Sequence, residues 1–267
     1  MKIRTIALNT FGSFLRDKLI ILICIVFACV VLLMMTPMLG AKAMRTASNA
    51  QQMQTMVLGL VAAIMFMVSG FGSFLAAWAS ADSVAAEMKS GTILAVMARP
   101  VRRWEFLLGK FLGVMLMMAI YVLLMFGLSY LLAWMGGQRI QSTPWVLLVY
   151  PMVRYAIYAA ISMLLVTVLN PVVTFGGVLI LAVLAAMLAP ASHAFGMIAR
   201  FVRTPLYFLL PSTTLLSEDR FLSITHDSLK QTGWLDHATT LAYGLDYALV
   251  CLVLAMWSFH YRSLRRD

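Results

Sequence analysis

The chain has 267 residues, of which 63% are hydrophobic and only 11% charged, and its mean hydropathy is +0.93. Soluble globular domains contain about 45–50% apolar and about 25% charged residues. This composition excludes a soluble protein and indicates a polytopic membrane protein. The net charge of +10 does not indicate nucleic-acid binding, because the basic residues flank apolar segments and are explained by membrane topology.

Six apolar segments are long enough to cross a bilayer as helices, since the hydrocarbon core requires about 20 apolar residues. The fourth and fifth are separated only by Asn170 and Pro171, where proline stops the helix. The sequence therefore predicts an all-α polytopic membrane protein with six transmembrane helices. The predicted spans are 19–39, 56–79, 111–135, 145–169, 172–190 and 239–261.

Lys and Arg are distributed unevenly between the two sides of these spans. If the N-terminus is cytoplasmic, the inner segments carry more basic residues than the outer segments, although they are shorter in total. Cytoplasmic loops of membrane proteins are rich in Lys and Arg, so both termini are predicted to be cytoplasmic. The inner segments are then 1–18, 80–110, 170–171 and 262–267, and the outer ones 40–55, 136–144 and 191–238.

Two segments outside the spans have a predicted structure. In residues 1–18, Ile3, Ile6 and Phe14 recur at helical spacing among basic residues, which predicts an N-terminal interfacial helix. The alternative is a disordered basic tail. The outer segment 191–238 is amphipathic and contains two prolines, Pro205 and Pro211, and its part near 194–211 is interpreted as interfacial or re-entrant.

The inner loop 80–110 contains the most informative pattern. It predicts a short helix that ends at Gly91, a second short helix capped by Thr92 and stopped by Pro100, and a further helix that begins with Arg102-Arg103-Trp104. The second short helix is amphipathic. Such a helix either docks into a groove of a partner protein or packs on the inner ends of its own spans, and the residues leave both interpretations open.

The same loop resembles that of ABC transporter permeases of the type-2 exporter (ABC-2) family. In that family an acidic residue, a Gly-Thr pair, a Pro-Val-x-Arg motif and a Gly-Lys pair follow one another between the second and third of six spans. All four occur here with matching spacing. Two positions depart, since Lys89 stands where a second acidic residue often follows and Arg102 replaces a small polar residue. The matching residues are Glu87, Gly91, Thr92, Pro100, Val101, Arg103, Gly109 and Lys110.

The resemblance implies one permease domain, residues 1–267, that forms a homodimer with a second copy and binds two cytosolic ATPase subunits. The amphipathic helix of the loop would be the cytoplasmic coupling helix. Glu87 would lie close to the ATPase surface, and Arg99 and Arg103 would anchor the exit of the loop near phosphates or acidic partner residues. The resemblance also implies a multi-pass exporter of the cell (inner) membrane.

The chain has no ATP-binding motif of its own. Its one Gly-Lys pair, Gly109-Lys110, is followed by Phe111, and Trp104 stands where a P-loop needs its first glycine. ATP and Mg²⁺ are therefore expected on the partner ATPase, and no catalytic residue, cofactor or metal site is expected in this chain. The 21 methionines have no repeated ligand spacing and are interpreted as adaptable apolar residues, not as copper ligands.

Two ionisable residues, Arg154 and Asp246, lie well inside predicted spans. Their predicted depths are about 13 Å and about 10 Å from the outer ends, at 1.5 Å per helical residue. Isolated charges at such depth cost several kcal/mol. The two residues therefore form an ion pair, or are solvated separately in an outward vestibule, or lie nearer the surface than the predicted boundaries indicate.

Two other function classes were compared with these patterns. A serine intramembrane protease needs a Gly-x-Ser-Gly motif and a zinc protease needs His-Glu-x-x-His, and the sequence contains neither. An ion-coupled secondary transporter without an ATPase partner is the alternative function. It typically uses ionisable residues near the bilayer midplane, for which Arg154 and Asp246 are few.

Overall fold

The computed structural model describes residues 2–43, 50–90, 102–135, 144–188, 216 and 234–261. Within these residues the chain forms seven α-helices and no strand, which confirms the all-helical prediction. The helices are α1 (Lys2–Arg16), α2 (Lys18–Ala43), α3 (Ala50–Ser90), α4 (Arg103–Met135), α5 (Pro144–Val166), α6 (Pro171–Leu188) and α7 (Trp234–Tyr261).

Four of these helices, α3, α4, α5 and α7, are long and apolar enough to cross a membrane. The predicted spans 19–39 and 172–190 are helical as α2 and α6, but the apolar stretches described there are shorter. The number of six spans therefore stays a prediction. The four long stretches are Ala63–Glu87, Arg103–Ser129, Leu148–Val166 and Trp234–Phe259, and the two shorter ones are Ile20–Leu33 and Pro171–Leu184.

The structure corrects one predicted boundary, begins one helix ahead of its predicted span and confirms one predicted helix start. The short helix expected before Gly91 is not separate, because α3 continues without a break to Ser90. Residues 80–90 contain neither glycine nor proline, so the helix does not end where the apolar segment ends. α7 begins at Trp234, ahead of the predicted span at 239. The predicted helix start at Arg102-Arg103-Trp104 is confirmed, since α4 begins at Arg103.

Helix α5 lies at the centre of the described bundle and contacts α3, α4, α6 and α7. Its interface with α3 is formed by small residues. The Ser80 hydroxyl donates to the carbonyl oxygen of Ala159 at 2.8 Å, and the Ser162 hydroxyl donates to the carbonyl oxygen of Ala77 at 2.7 Å. In hydrocarbon, close packing of small residues and interhelical hydrogen bonds hold helices together. These contacts therefore stabilise the centre of the bundle.

The contacts also give the directions of the helices. Ser69 bonds Arg154 and Ala77 bonds Ser162 at the same sequence separation of 85 residues, so α3 and α5 run in the same direction. The α5–α6 connection turns the chain back, as predicted at Asn170 and Pro171. There the backbone N–H of Thr174 donates to the carbonyl oxygen of Asn170 at 2.8 Å, and Pro171 is the first residue of α6.

Three helix ends that lie in or next to segments predicted to face the cytoplasm meet at one end of the bundle. The Thr167 hydroxyl, beside the α5–α6 turn, donates to the Ser258 hydroxyl near the end of α7 at 3.1 Å. The Arg103 guanidinium, at the start of α4, donates to the carbonyl oxygen of Phe259 at 3.2 Å. We call this end, marked by Arg103, Thr167 and Ser258, the loop end.

At the opposite end of the bundle, α5 and α7 are again in direct contact. The Tyr150 hydroxyl and His237 Nδ1 are hydrogen-bonded at 2.8 Å. Gly244 lies against Val153, and Leu216 covers the same position, so that a side chain at Gly244 would collide with Val153. α7 therefore follows α5 along most of its length.

Helix α1 packs lengthwise on α4, where two glycines permit a close approach. A Cβ atom at Gly109 would lie 2.7 Å from Ile6 Cγ2, and one at Gly113 would lie 2.7 Å from Thr10 Cβ. The residue numbers of these contacts increase together along both helices, so α1 and α4 run in the same direction. The helical prediction for residues 1–18 is confirmed over Lys2–Arg16, and the disordered alternative is wrong. The interfacial location of this helix stays a prediction.

Substitution of Gly113 tests the α1–α4 contact. We expect Gly113→Ala to lower the free energy of unfolding by about 1–3 kcal/mol, because the added methyl group meets Thr10 and the backbone of Ala7. The matched control is Gly127→Ala on the same helix, where a Cβ meets nothing within 4 Å. Thermal unfolding of the purified protein in detergent measures both. Equal stability of the two variants would contradict the contact.

Candidate functional site

An ion pair joins the end of α3 to the first turns of α4. The Glu87 carboxylate oxygen Oε1 contacts Lys110 Nζ, and the two side chains are 23% and 7% exposed. The ammonium group also lies 5.7 Å from the centroid of the Phe106 ring, one turn earlier on α4, in a cation–π contact. A charge this buried depends on its partner, because water cannot replace the lost interaction.

A second contact joins α4 to the end of α7. The Arg103 guanidinium donates to the carbonyl oxygen of Phe259, in the last described turn of α7. The rings of Phe106 and Phe259 are both buried and stack with centroids 6.2 Å apart. We call Glu87, Arg103, Phe106, Lys110 and Phe259 the clamp. It ties the loop ends of α3, α4 and α7 together.

The start of α4 is fixed by a local hydrogen bond. The backbone N–H of Arg102 donates to Glu105 Oε2 at 2.9 Å, and the carbonyl oxygen of Arg102 accepts from the N–H of Phe106 at 3.2 Å. This is half of a capping box, in which a glutamate side chain satisfies the N-cap backbone. The cap fixes where the loop becomes helix and therefore where Arg103 points.

The structure brings four of the motif residues together, namely Glu87, Arg103, Gly109 and Lys110. The first and last positions of the family motif form the ion pair, and Gly109 is where α1 crosses α4. Proximity of Glu87 to an ATPase stays a prediction, and within the chain its carboxylate pairs with Lys110. The other motif residues, Gly91, Thr92, Arg99, Pro100 and Val101, lie outside the described residues, as does the predicted coupling helix.

Sequence reasoning missed the residues that complete this site. Phe259 and Phe106 carried no signal, because their role depends on which helices become neighbours. The Gly109 and Gly113 spacing is a small-xxx-small pattern that predicts close helix packing, but it does not say that the partner is α1. Ile6 and Thr10 could have been identified as the residues that pack on Gly109 and Gly113 only by testing every helix against these two glycines.

The intramembrane residue Arg154 is bound within the bundle. Its Nη1 donates to the Ser69 hydroxyl at 2.6 Å, and the Ser69 side chain is fully buried on α3. A guanidinium inside a membrane protein requires such polar partners, since hydrocarbon cannot solvate it. The half-buried Arg154 is therefore solvated at least in part by α3.

Asp246 lies on another face of the bundle from Arg154, and the two do not form an ion pair among the described contacts. Gly244 and Ala248 of α7 are buried towards the bundle, whereas Asp246 is exposed. Two residues after Gly244 correspond to about 200° around the helix axis. The ion pair was one of three arrangements that the sequence left open, because depth along a span does not determine which face of the helix a residue occupies. Asp246 lies near the middle of the apolar stretch Trp234–Phe259.

The clamp ion pair is tested by a double-mutant cycle. We expect Glu87→Gln and Lys110→Met each to lower the free energy of unfolding by about 2–4 kcal/mol, because each leaves its partner's charge poorly solvated. The double variant should lose less than the sum of the single losses, by about 1–3 kcal/mol. Arg4→Gln, which removes an exposed charge on α1, is the control and should change stability by less than about 0.5 kcal/mol. Additive losses at Glu87 and Lys110 would contradict the pair.

The separate placement of Arg154 and Asp246 gives the opposite expectation. Arg154→Asp should destabilise the protein, and adding Asp246→Arg should not restore it, because the two side chains lie on different faces. The free energy of unfolding of the two single variants and the double variant should be additive within about 0.5 kcal/mol. Recovery of stability in the double variant would show that the residues pair.

The sequence matches a known protein family over nearly its whole length. Residues 4–264 match the family model described as ABC-2 family transporter protein. Comparison with curated proteins gives no match to the chain. The matched range begins within the first turn of α1 and extends beyond the end of α7. The match therefore covers all seven described helices, apart from the first residues of α1, together with the clamp. The chain belongs to the ABC-2 family of transporter proteins.

Proposed function

We propose that this chain is the membrane subunit of an ATP-driven ABC exporter. Two copies form the transmembrane part, and two separate cytosolic ATPase subunits bind ATP and Mg²⁺ and supply the energy. The observation that carries the proposal is the family match over residues 4–264. The clamp supports it, because the acidic and Gly-Lys positions of the motif, Glu87 and Lys110, meet at the base of the loop expected to contact the ATPase.

The clamp suggests how movement of the loop reaches the helices. The segment 91–101 is connected at one side to α3 and at the other to α4, and the Glu87–Lys110 pair joins these two helices. Arg103 joins α4 to α7, and Gly109 joins it to α1. A force applied to the segment by an ATPase would therefore move four helix ends together. Rigid-body movement of packed helices is a common form of conformational change.

We infer the membrane orientation from the same end of the bundle. The loop end collects the start of α4, the end of α5 and the end of α7, which lie in or next to segments predicted to be cytoplasmic from the distribution of Lys and Arg. Placing the loop end in the cytoplasm, with α2 and α6 as further spans, gives six spans and two cytoplasmic termini. The cell (inner) membrane is the corresponding location.

A second copy is supported by the exposed carboxylate of Asp246. A charge that faces lipid near the middle of a span costs several kcal/mol. The face of α7 that carries Asp246 is therefore expected to meet protein or water in the assembled transporter. Both environments arise when two copies enclose a transport path.

Purification of the tagged chain from its native membranes tests the proposal. We expect a nucleotide-binding subunit to co-purify in an equal amount, and the complex to contain two copies of the chain. Arg99→Glu in the predicted coupling segment should reduce recovery of that subunit by about tenfold or more, because charge reversal at an interface typically costs several kcal/mol. Lys230→Glu, the same kind of change in the predicted outer segment, is the matched control and should have no effect.

The contrary outcomes are specific. A wild-type chain that purifies without any nucleotide-binding partner would favour the ion-coupled secondary transporter. Equal loss of the subunit in Arg99→Glu and Lys230→Glu would overturn the assignment of the coupling segment and of the orientation. Thermal stability of each purified variant separates loss of binding from loss of folding.

A further inference from the structure

An apolar slot of about 450 Å³ lies between α1, α2 and α4. Its walls are formed by residues such as Phe14 of α1, Ile21 and Ala28 of α2, and Leu124 of α4. Tyr121 also lines it, but its hydroxyl is already used, since it donates to the carbonyl oxygen of Val68 at 2.8 Å. The slot therefore presents almost no polar group to an occupant.

The slot exists because α1 packs closely on α4 whereas α2 does not. α1 packs tightly on α4 through Gly109 and Gly113 and ends at Arg16. The helix is interrupted at Asp17. There α2 begins, and the backbone N–H of Ile21 donates to the carbonyl oxygen of Asp17. α2 makes much looser contact with α4 than α1 does. The space left between α2 and α4 beyond the end of α1 is the slot.

Its size distinguishes between possible occupants. Along α2 the slot covers residues 20–28, which span about 12 Å at 1.5 Å per residue. A helix of that length and about 10 Å in diameter occupies about 900 Å³, twice the available volume. At about 30 Å³ for each water-sized group, the slot has the volume of roughly fifteen such groups. A single hydrocarbon chain fits, and its length suits one bilayer leaflet of about 15 Å.

A charged segment connects Leu15 and Ile20, which line the slot from α1 and from α2. Arg16 and Lys18 are exposed on either side of Asp17, and we call these three residues the elbow. Two exposed basic side chains within three residues are costly to place in hydrocarbon, so we place the elbow among the headgroups, from which the slot leads into the bilayer along α2. The elbow keeps one net positive charge, which attracts anionic headgroups.

We propose that the slot binds one acyl chain of an anionic phospholipid, whose phosphate is held at the elbow by Arg16 and Lys18. The lipid fills the gap between α2 and α4 and fastens α2 to the rest of the bundle. The site requires only that the chain lies in a membrane, so it does not depend on the proposed ATPase coupling.

Photolabelling of the full-length chain in phosphatidylcholine vesicles tests the site. The probe is a trace of phosphatidylglycerol with a diazirine near the end of one acyl chain, and labelled peptides are identified by mass spectrometry. Label is expected within residues 20–28 and 117–128. Ala28→Trp, which fills the slot, should reduce it at least fivefold. Leu22→Trp, on the exposed face of the same helix, is the matched control and should leave labelling unchanged.

Competition with unlabelled lipids tests the charged elbow. Phosphatidylglycerol should displace the probe better than phosphatidylcholine, and Arg16→Gln with Lys18→Gln should reduce that advantage about fivefold or more. Label spread evenly over the lipid-facing helices, or unaffected by Ala28→Trp, would overturn the slot. Equal competition by the two lipids would overturn the role of the elbow. A disulfide formed between two copies through Ile25→Cys would show that a second chain occupies the slot instead.

Discussion

The close contact of α5 with α3 is the constraint on which the rest of the bundle depends. Helices in a bilayer gain little from hydrophobic association, because lipid chains are as apolar as leucine, and they adhere through close packing and hydrogen bonds. The Ser80–Ala159 and Ser162–Ala77 hydrogen bonds show how near the two backbones approach. α4, α6 and α7 then pack around α5, and this arrangement brings the ends of α3, α4 and α7 together.

The clamp joins the ends of α3, α4 and α7 through three different kinds of contact. The Glu87–Lys110 pair is electrostatic, Arg103 donates to the carbonyl oxygen of Phe259, and the buried Phe106 ring lies against both the Lys110 ammonium group and the Phe259 ring. Because these groups are only partly hydrated, each contact is stronger than it would be on an open surface, and each is costly to break. A loop attached to such a base transmits displacement to several helices, which is what coupling to an ATPase would require.

The charged residues Arg154 and Asp246 show that depth along a helix does not determine which residues are in contact. Arg154 and Asp246 lie at similar predicted depths, and depth alone suggested a pair. The structure places Arg154 against Ser69 of α3 and Asp246 on the exposed face of α7. The face that a residue occupies depends on how its helix is rotated in the bundle, and that rotation is set by small residues such as Gly244 on the opposite side.

The sequence by itself determined the class of the protein, the helices, the turn at Asn170 and Pro171, the start of α4 at Arg103 and the family motif, because hydropathy, helix breakers and caps act locally along the chain. The membrane depth of the ionisable residues stays a prediction from the sequence. Only the tertiary structure decided that Glu87 pairs with Lys110, that Arg103 reaches Phe259, that α1 lies on Gly109 and Gly113, and that a slot opens beside α2. These features depend on which helices are neighbours and on their rotation and tilt. Packing sets these quantities over the whole bundle, so no single segment contains them.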